Sequence, residues 1–185
     1  MTNATDTAGR EPGTAQQDDQ PSPAEARDAR LAALLRDEEA ELERFGHDEA
    51  WELGVWLRER LVADGLVGAV AVYVGEQRAF VGSVAESSAD LDGWLDRKAR
   101  TVRIYGHSSY WVKFRHAPDQ AGFERFLADP RFVAAAGGGF PVRIRGAIVG
   151  VVACSGWTEE GEHALGAEAV RRLGARQRAG TASSD

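Results

Sequence analysis

The first part of the chain carries apolar residues three and four positions apart, which is the spacing of amphipathic helices. One helix is predicted to begin at Pro23, with Ser22 as its N-cap, and to end at Gly46. A second helix is predicted to begin near Asp48 and to end at Gly65. The apolar positions that define them are Leu31, Leu34, Leu35, Leu42 and Phe45 in the first helix, and Leu53, Leu57 and Leu61 in the second.

After Gly65 the pattern changes to that of β-strands. The runs "GAVAVYVG" and "RAFVGSV" flank a short turn that contains glycine, which predicts a hairpin. The runs "FPVRI" and "AIVGVVACSG", joined by a turn at Gly146, predict a second hairpin. Between the hairpins, the segment "SSYWVKFRH" alternates apolar with charged residues and therefore predicts a fifth strand.

Three further helices are predicted around these strands. An apolar stripe after the first hairpin indicates a helix with Ser87 or Ser88 as its N-cap, which ends at Gly106. A short helix is predicted over "QAGFERFLAD", and a last helix is predicted to begin after Thr158. The whole pattern predicts a single α+β domain built on one five-stranded antiparallel sheet with flanking helices.

Composition sets the limits of this domain. Residues 1–23 and 177–185 contain almost no large apolar side chain, so they are predicted to be disordered tails around a domain of residues 24–176. The N-terminus has no apolar signal region, and the apolar runs are far shorter than the ~18 residues of a membrane-spanning helix. A cytoplasmic protein is therefore predicted.

Charge and cysteine content narrow the possible functions. A net charge of -7 disfavours binding to nucleic acid or to anionic membranes, because both attract basic surfaces. Cys154 is the only cysteine, which excludes an intrachain disulfide and a thiolate metal cluster. Its place in an apolar strand predicts a buried structural thiol. The acidic run "RDEEAELE" is interpreted as a solvated helix face rather than as paired acid–base groups.

The segment "GHSS" concentrates groups that could carry chemistry. Gly106 is predicted to end a helix in the left-handed conformation, which leaves His107, Ser108 and Ser109 just beyond it. These side chains could form a hydrogen-bonded corner, contact a ligand, or pair a base with a hydroxyl nucleophile. The chain has no Gly-x-Ser-x-Gly elbow, so nucleophilic catalysis is the least favoured of the three.

Two other features are candidates for the same site. Gly137, Gly138 and Gly139 could leave open space in which backbone N–H groups approach an anion, or they could simply form a turn before a strand. His163 lies near a helix start among carboxylates, but no further residues follow it at metal-ligand spacing. We expect the glycines, His163 and the "GHSS" segment to share one polar pocket, with no metal site.

Four segments in a fixed order resemble one known family. They are "WLDRKARTV", "GHSSY", "GGFPVRIRG" and "GVVACSG". They are similar to the small proteins that carry the haem-degrading domain, over roughly residues 30–175, and most of all to the cytoplasmic branch of that family. The family also resembles extracellular haem-binding sensor proteins and an accessory protein of glycolate operons. Cys154, Ser155 and Gly156 stand where the family usually has Val-Ser-Gly.

This resemblance implies a profilin-like or PAS-like fold, homo-oligomers, and haem binding or breakdown. A binding module would hold haem or another small anionic ligand against the glycines, with Arg97, Lys98 or Arg143 contacting its carboxylates. An enzyme would instead use His107 or His163 as an acid or base. A third possibility is a scaffold whose oligomer is its function. Homo-oligomers are also expected from the tryptophan content, because aromatic residues are enriched in interface cores. The tryptophans that favour oligomers are Trp51, Trp56, Trp94, Trp111 and Trp157.

Overall fold

The fold is a four-stranded antiparallel sheet with helices on both faces. The computed structural model describes residues 20–84, 86–116 and 131–182. The helices are α1 (Pro23–Asp37), α2 (His47–Ala63), α3 (Asp90–Tyr105), α4 (Ser109–His116) and α5 (Glu159–Ala182). The strands are β1 (Ala69–Val74), β2 (Gln77–Ser83), β3 (Gly139–Ile144) and β4 (Ala147–Ser155). The helix predicted over residues 120–129 lies outside the described residues.

Both predicted hairpins are present. The first strand of the first hairpin, β1, pairs with the second strand of the second hairpin, β4, at the centre of the sheet. The strand order is β2-β1-β4-β3. The central pair, β1 and β4, is antiparallel from Ala69 opposite Ser155 to Val74 opposite Gly150. Strand alternation then sends one set of side chains to each face, and each set needs a helix to cover it.

The two faces of the sheet form two apolar clusters. Val70 and Val72 of β1 pack with α2 and α5, whereas Ala71 and Tyr73 of the same strand pack with α3. The larger cluster also contains the three leucines Leu53, Leu57 and Leu61 that were predicted as the buried face of α2. The domain is therefore three layers deep, with the sheet in the middle.

The predicted fifth strand is wrong, because residues 109–116 form helix α4. The Ser108 hydroxyl accepts a hydrogen bond from the Trp111 amide (3.2 Å) and so caps this helix. The rings of Tyr110 and Phe114, four residues apart, pack with their centroids at 5.0 Å. Alternation of apolar and charged residues is typical of a strand, so here tertiary contacts override the local pattern.

Helix α1 is shorter than predicted, and α5 is longer. The predicted capping residue Ser22 is confirmed, since it forms a capping box with Glu25. The helix ends at Asp37, the chain turns at residues 38–39, and it then runs beside β3, with the Leu42 amide donating to the Arg143 carbonyl (2.9 Å). Residues 177–182, expected in a tail, continue α5, because the buried Gln177 side chain hydrogen-bonds the backbone of residues 43 and 44.

Candidate functional site

Gly106 ends α3 as the sequence predicts. Its φ is 72°, and its amide donates to the Val102 carbonyl (2.9 Å). A side chain is disfavoured at this φ, which explains glycine here. The chain therefore turns sharply after Tyr105 and presents residues 107–109 to the end of α1 and to the loop before β3.

A buried carboxylate, Glu38, holds this corner together. Its side chain is 4% exposed and accepts hydrogen bonds from His107 Nδ1 (3.0 Å), the Ser108 amide (2.7 Å) and Arg143 (3.4 Å). The acidic run was interpreted as a solvated face, which is wrong for this residue. Its partners lie 69 to 105 residues away in sequence, so no local pattern could have identified it.

The contact with Glu38 fixes the tautomer of His107. The Glu38 carboxylate also accepts from an amide and a guanidinium, so in a neutral His107 ring the hydrogen bond to Glu38 requires the ring proton on Nδ1. The ring also stacks on Trp111, with centroids 4.2 Å apart. The His107 side chain is 33% exposed, and Nε2 makes no hydrogen bond to the described residues. An oriented imidazole nitrogen is thus left with an available lone pair.

Both serines of the "GHSS" segment are fully buried and use their hydroxyls for structure. The Ser108 hydroxyl caps α4. The Ser109 hydroxyl donates to the Ala136 carbonyl (2.5 Å) and accepts from the Gly139 amide (2.8 Å). Among the described residues, neither hydroxyl has a hydrogen bond to a histidine. The structure therefore brings residues 107–109 and 137–139 together, and the Ser109 hydroxyl links the two segments.

The glycine loop is packed against protein rather than open. A Cβ at Gly137 would collide with the Glu159 carbonyl, and one at Gly138 with the Cys154 carbonyl. A Cβ at Gly139 would lie 2.7 Å from the Ser109 hydroxyl. The open space expected beside this backbone is absent at these three positions, and the glycines are required by close packing.

Lys98 lies beneath this loop in a buried ion pair. Its Nζ lies 2.6 Å from Glu162 Oε2 and donates to the Cys154 carbonyl (2.9 Å) and to Ser155 Oγ (3.3 Å). The other Glu162 oxygen accepts from the amides of Gly156 (2.8 Å) and Trp157 (3.1 Å). Lys98 is therefore committed to internal partners and is not presented to a ligand.

Burial shifts the acidity of the groups around this ion pair. It raises the pKa of the Glu162 carboxyl, against the opposing effects of Lys98 and two backbone amides. It also raises the pKa of the Cys154 thiol to about 12. Cys154 is fully buried, as predicted, and at neutral pH it is an unreactive thiol.

His163 is also buried, on the other side of α4. Its Nε2 lies 3.3 Å from Asp37 Oδ2, and its ring packs against Tyr110 and Phe140 with centroids 5.6 and 5.4 Å away. The side chain is 5% exposed, and Nδ1 has no hydrogen-bond partner in the described residues. Burial lowers the pKa of this imidazole, so it is neutral at pH 7.

The two arginines of the predicted site lie in different surroundings. Arg143 is 17% exposed and donates to the Gly106 carbonyl (2.5 Å) and the Gly146 carbonyl (3.0 Å) as well as to Glu38. Arg97 is half-buried and stacks on the Trp94 ring at 3.9 Å. Of the predicted residues, His107, Arg97 and Arg143 are thus partly exposed, whereas Lys98, both serines and His163 are buried.

Two grooves run elsewhere, between α2 and α5. Their volumes are about 370 and 330 Å³, and neither is lined by a predicted site residue. Within residues 20–84, 86–116 and 131–182, no group of three or more His, Cys, Asp or Glu side chains is arranged to hold a metal ion. No helix in those ranges is long and apolar enough to span a bilayer.

The fold occurs in several solved structures. The structure of Ybr137w superposes with a TM-score of 0.71 at 22% identity, covering 79% of this chain and 88% of that one. The structure of HbpS gives 0.58 at 19% identity over 70% of this chain and 89% of that one. The complex of PduOC with heme gives 0.60 at 16% identity over 70% of this chain and 94% of that one.

Sequence comparison identifies closer relatives. A UPF0303 protein of Streptomyces avermitilis is 38% identical over 134 residues, which is 71% of this chain and 82% of that protein. A UPF0303 protein of Pseudomonas entomophila is 35% identical over 136 residues, 72% of this chain and 76% of that protein. Residues 45–171 match the family described as haem degrading protein HbpS-like. The chain therefore belongs to the HbpS-like haem-degrading family, as its motifs indicate.

Proposed function

We propose that this protein is a small-ligand-binding domain that takes haem, or another carboxylate-bearing ligand, at the His107 corner. The observation that carries the proposal is the contact of His107 Nδ1 with Glu38 at 3.0 Å. Metal-binding histidines are typically held through their second nitrogen by a carboxylate, which orients the ring and raises its basicity. Family membership and the heme complex of the similar PduOC protein support the same function.

The donor set at this corner fits a haem group. His107 Nε2 would hold the iron of the haem, and a bound haem would supply a redox-active iron centre. Arg143 makes three hydrogen bonds to the described residues out of the five that a guanidinium can donate, so it can also donate to a ligand carboxylate. Trp111 keeps the imidazole from rotating by stacking on it.

A binding role is better supported than nucleophilic catalysis. The hydroxyls of Ser108 and Ser109 are buried and engaged with backbone groups, so neither is presented to His107. His163 is enclosed between Tyr110 and Phe140 and cannot reach a ligand without a rearrangement of the core. An acid–base role for His107 would use the same oriented nitrogen.

Hemin titration tests this proposal. The change in Soret absorbance should saturate as hemin is added to the natural chain. It should also saturate for the control variant His47→Ala, which removes an exposed imidazole that hydrogen-bonds Gln77. His107→Ala should weaken binding by at least about tenfold. Iron-free protoporphyrin keeps the carboxylates and lacks the metal, so it distinguishes binding through the iron from binding through the carboxylates. Equal binding by both variants, or no saturable binding at micromolar hemin, contradicts the proposal.

The proposal includes assembly into homo-oligomers. Trp51 is 65% exposed and contacts Phe80 edge to face, with centroids 5.7 Å apart. A large exposed indole is typical of interface centres. Light scattering should give a mass above 19.9 kDa, and Trp51→Ser should lower it. A monomer mass at micromolar concentration contradicts this part. A cytoplasmic location stays a prediction from the sequence.

A further inference from the structure

One of the two grooves has the features of a ligand site that is separate from the His107 corner. It lies between the end of α2 and the first turns of α5 and has a volume of about 370 Å³. Small-molecule sites have volumes of about 300–1,000 Å³ with an apolar lining and a few polar groups. Leu66, Trp157 and Leu165 form the apolar part of the lining.

The Trp157 indole packs against the backbone at two glycines, Gly68 and Gly161. A Cβ at Gly68 would lie 2.9 Å from two ring carbons, and a Cβ at Gly161 would lie 2.7 Å from Nε1. Glycine at both positions therefore makes room for the ring. The backbone amide of Trp157 donates to Glu162, the residue paired with Lys98. The buried ion pair is thus joined by a hydrogen bond to the backbone of this wall of the groove.

The charges around the groove are not balanced. Arg60 forms an ion pair with Asp64 at the end of α2, with Nη2 and Oδ2 3.0 Å apart, and its buried Nε has no hydrogen-bond partner among the described residues. Glu168 of α5 is exposed, and it forms no ion pair within the described part of the chain. Arg172, one turn further on, is 4.0 Å from Glu52 instead. The lining of the groove therefore contains one carboxylate that has no ion-pair partner in the described part of the chain, together with an indole ring.

We propose that this groove binds a small organic cation, in which an ammonium group is attached to a flat apolar body. The apolar body would pack on Leu66, Trp157 and Leu165. The ammonium group would lie near Glu168, and an indole also attracts cations through its ring face. A carboxylate ligand would face Glu168 and Asp64, and only the buried Nε of Arg60 would be left to donate to it. The site shares no residue with the His107 corner, so it is independent of the proposed function.

Three probes of nearly equal size test the charge preference: benzylamine, benzyl alcohol and benzoate. The indole N–H resonance of Trp157, assigned in a nitrogen-15 spectrum by its loss in Trp157→Phe, reports on binding. Benzylamine should shift this resonance and saturate at millimolar concentration. Benzyl alcohol should bind more weakly, and benzoate should bind most weakly.

Matched charge variants complete the experiment. Glu168→Gln should weaken benzylamine binding by about threefold, the effect of one exposed ion pair, and should leave benzyl alcohol unchanged. Glu39→Gln removes the same charge from an exposed position just after α1, and it should change the affinity for neither benzylamine nor benzyl alcohol. Equal affinity for the three probes, or tighter binding of benzoate, overturns the cation preference. If no probe moves the Trp157 resonance, the groove is not a ligand site, and the hemin result is unaffected.

Discussion

The Nζ atom of Lys98 lies 2.6 Å from Oε2 of Glu162, and both side chains are at most 4% exposed. This pair joins α3 to the first turn of α5 beneath the glycine loop. Two charges removed from water are tolerated only when their remaining hydrogen-bonding capacity is met. Here the Cys154 carbonyl, Ser155 and the amides of Gly156 and Trp157 meet it. The family-like motifs around these residues therefore specify the interior of the fold.

Removing one partner of this pair should be costly. Lys98→Met should lower the free energy of unfolding by about 3–5 kcal/mol, because it leaves a buried carboxylate without its counter-charge. Lys113→Met is the control, since Lys113 forms an ion pair with Glu159 at the surface and should cost no more than about 1 kcal/mol. Urea unfolding followed by circular dichroism measures both. Similar small losses in the two variants would show that the buried pair is not ionised.

The glycine loop gives a second prediction. Gly138 has a φ of 110°, and a Cβ there would collide with the Cys154 carbonyl. Gly138→Ala should therefore destabilise the protein by more than about 3 kcal/mol, since backbone strain and steric overlap add. Gly146→Ala tests positive φ alone, because Gly146 has a φ of 80° and open space around it. Its cost should be about 1 kcal/mol. Equal thermal stability of the two variants contradicts the packing argument.

Helix α4 depends on its cap. Ser108→Ala removes the acceptor for the Trp111 amide and should lower stability by about 0.5–2 kcal/mol. Ser108→Thr or Ser108→Asp keeps an acceptor oxygen, but burial of the site makes Thr the better rescue. Thermal unfolding of the Ala and Thr variants measures the difference. A catalytic role for Ser108 would instead leave stability unchanged in the Ala variant.

Stability should depend on pH through His163. Burial lowers its pKa below the ordinary value of about 6.5, so the unfolded chain takes up a proton at higher pH than the folded protein does. This contribution to stability is complete above the ordinary pKa and is lost as pH falls through the lower folded value. The slope should not exceed about 1.4 kcal/mol per pH unit.

The comparison of His163→Leu with His47→Ala isolates this effect. Unfolding in urea at several pH values from 7 to 5 should show a smaller decrease in stability for His163→Leu than for the natural chain. His47→Ala, which removes an exposed imidazole, should keep the natural slope. An unchanged slope in His163→Leu would show that Asp37 compensates for burial when the ring is protonated.

The two hairpins and the long helices could be predicted because their signals are local. Ser22 and Glu25 satisfy each other's backbone groups within one turn, and Gly106 is needed wherever the chain takes a left-handed φ. The alternation in β1 likewise decides which side chains reach each face of the sheet. These features depend on steric and hydrogen-bonding rules that act over a few residues.

The sequence proposed residues for a candidate site, but it did not specify how they are arranged. The sequence by itself identified His107, the serines and the glycines as candidate site or turn residues, because their types and order match a family and suit tight turns. Only the tertiary structure decided that Glu38 holds His107, that Glu162 holds Lys98, and that residues 109–116 are helical. The physical reason is that burial and pairing depend on residues 60 or more positions away, which no local pattern specifies.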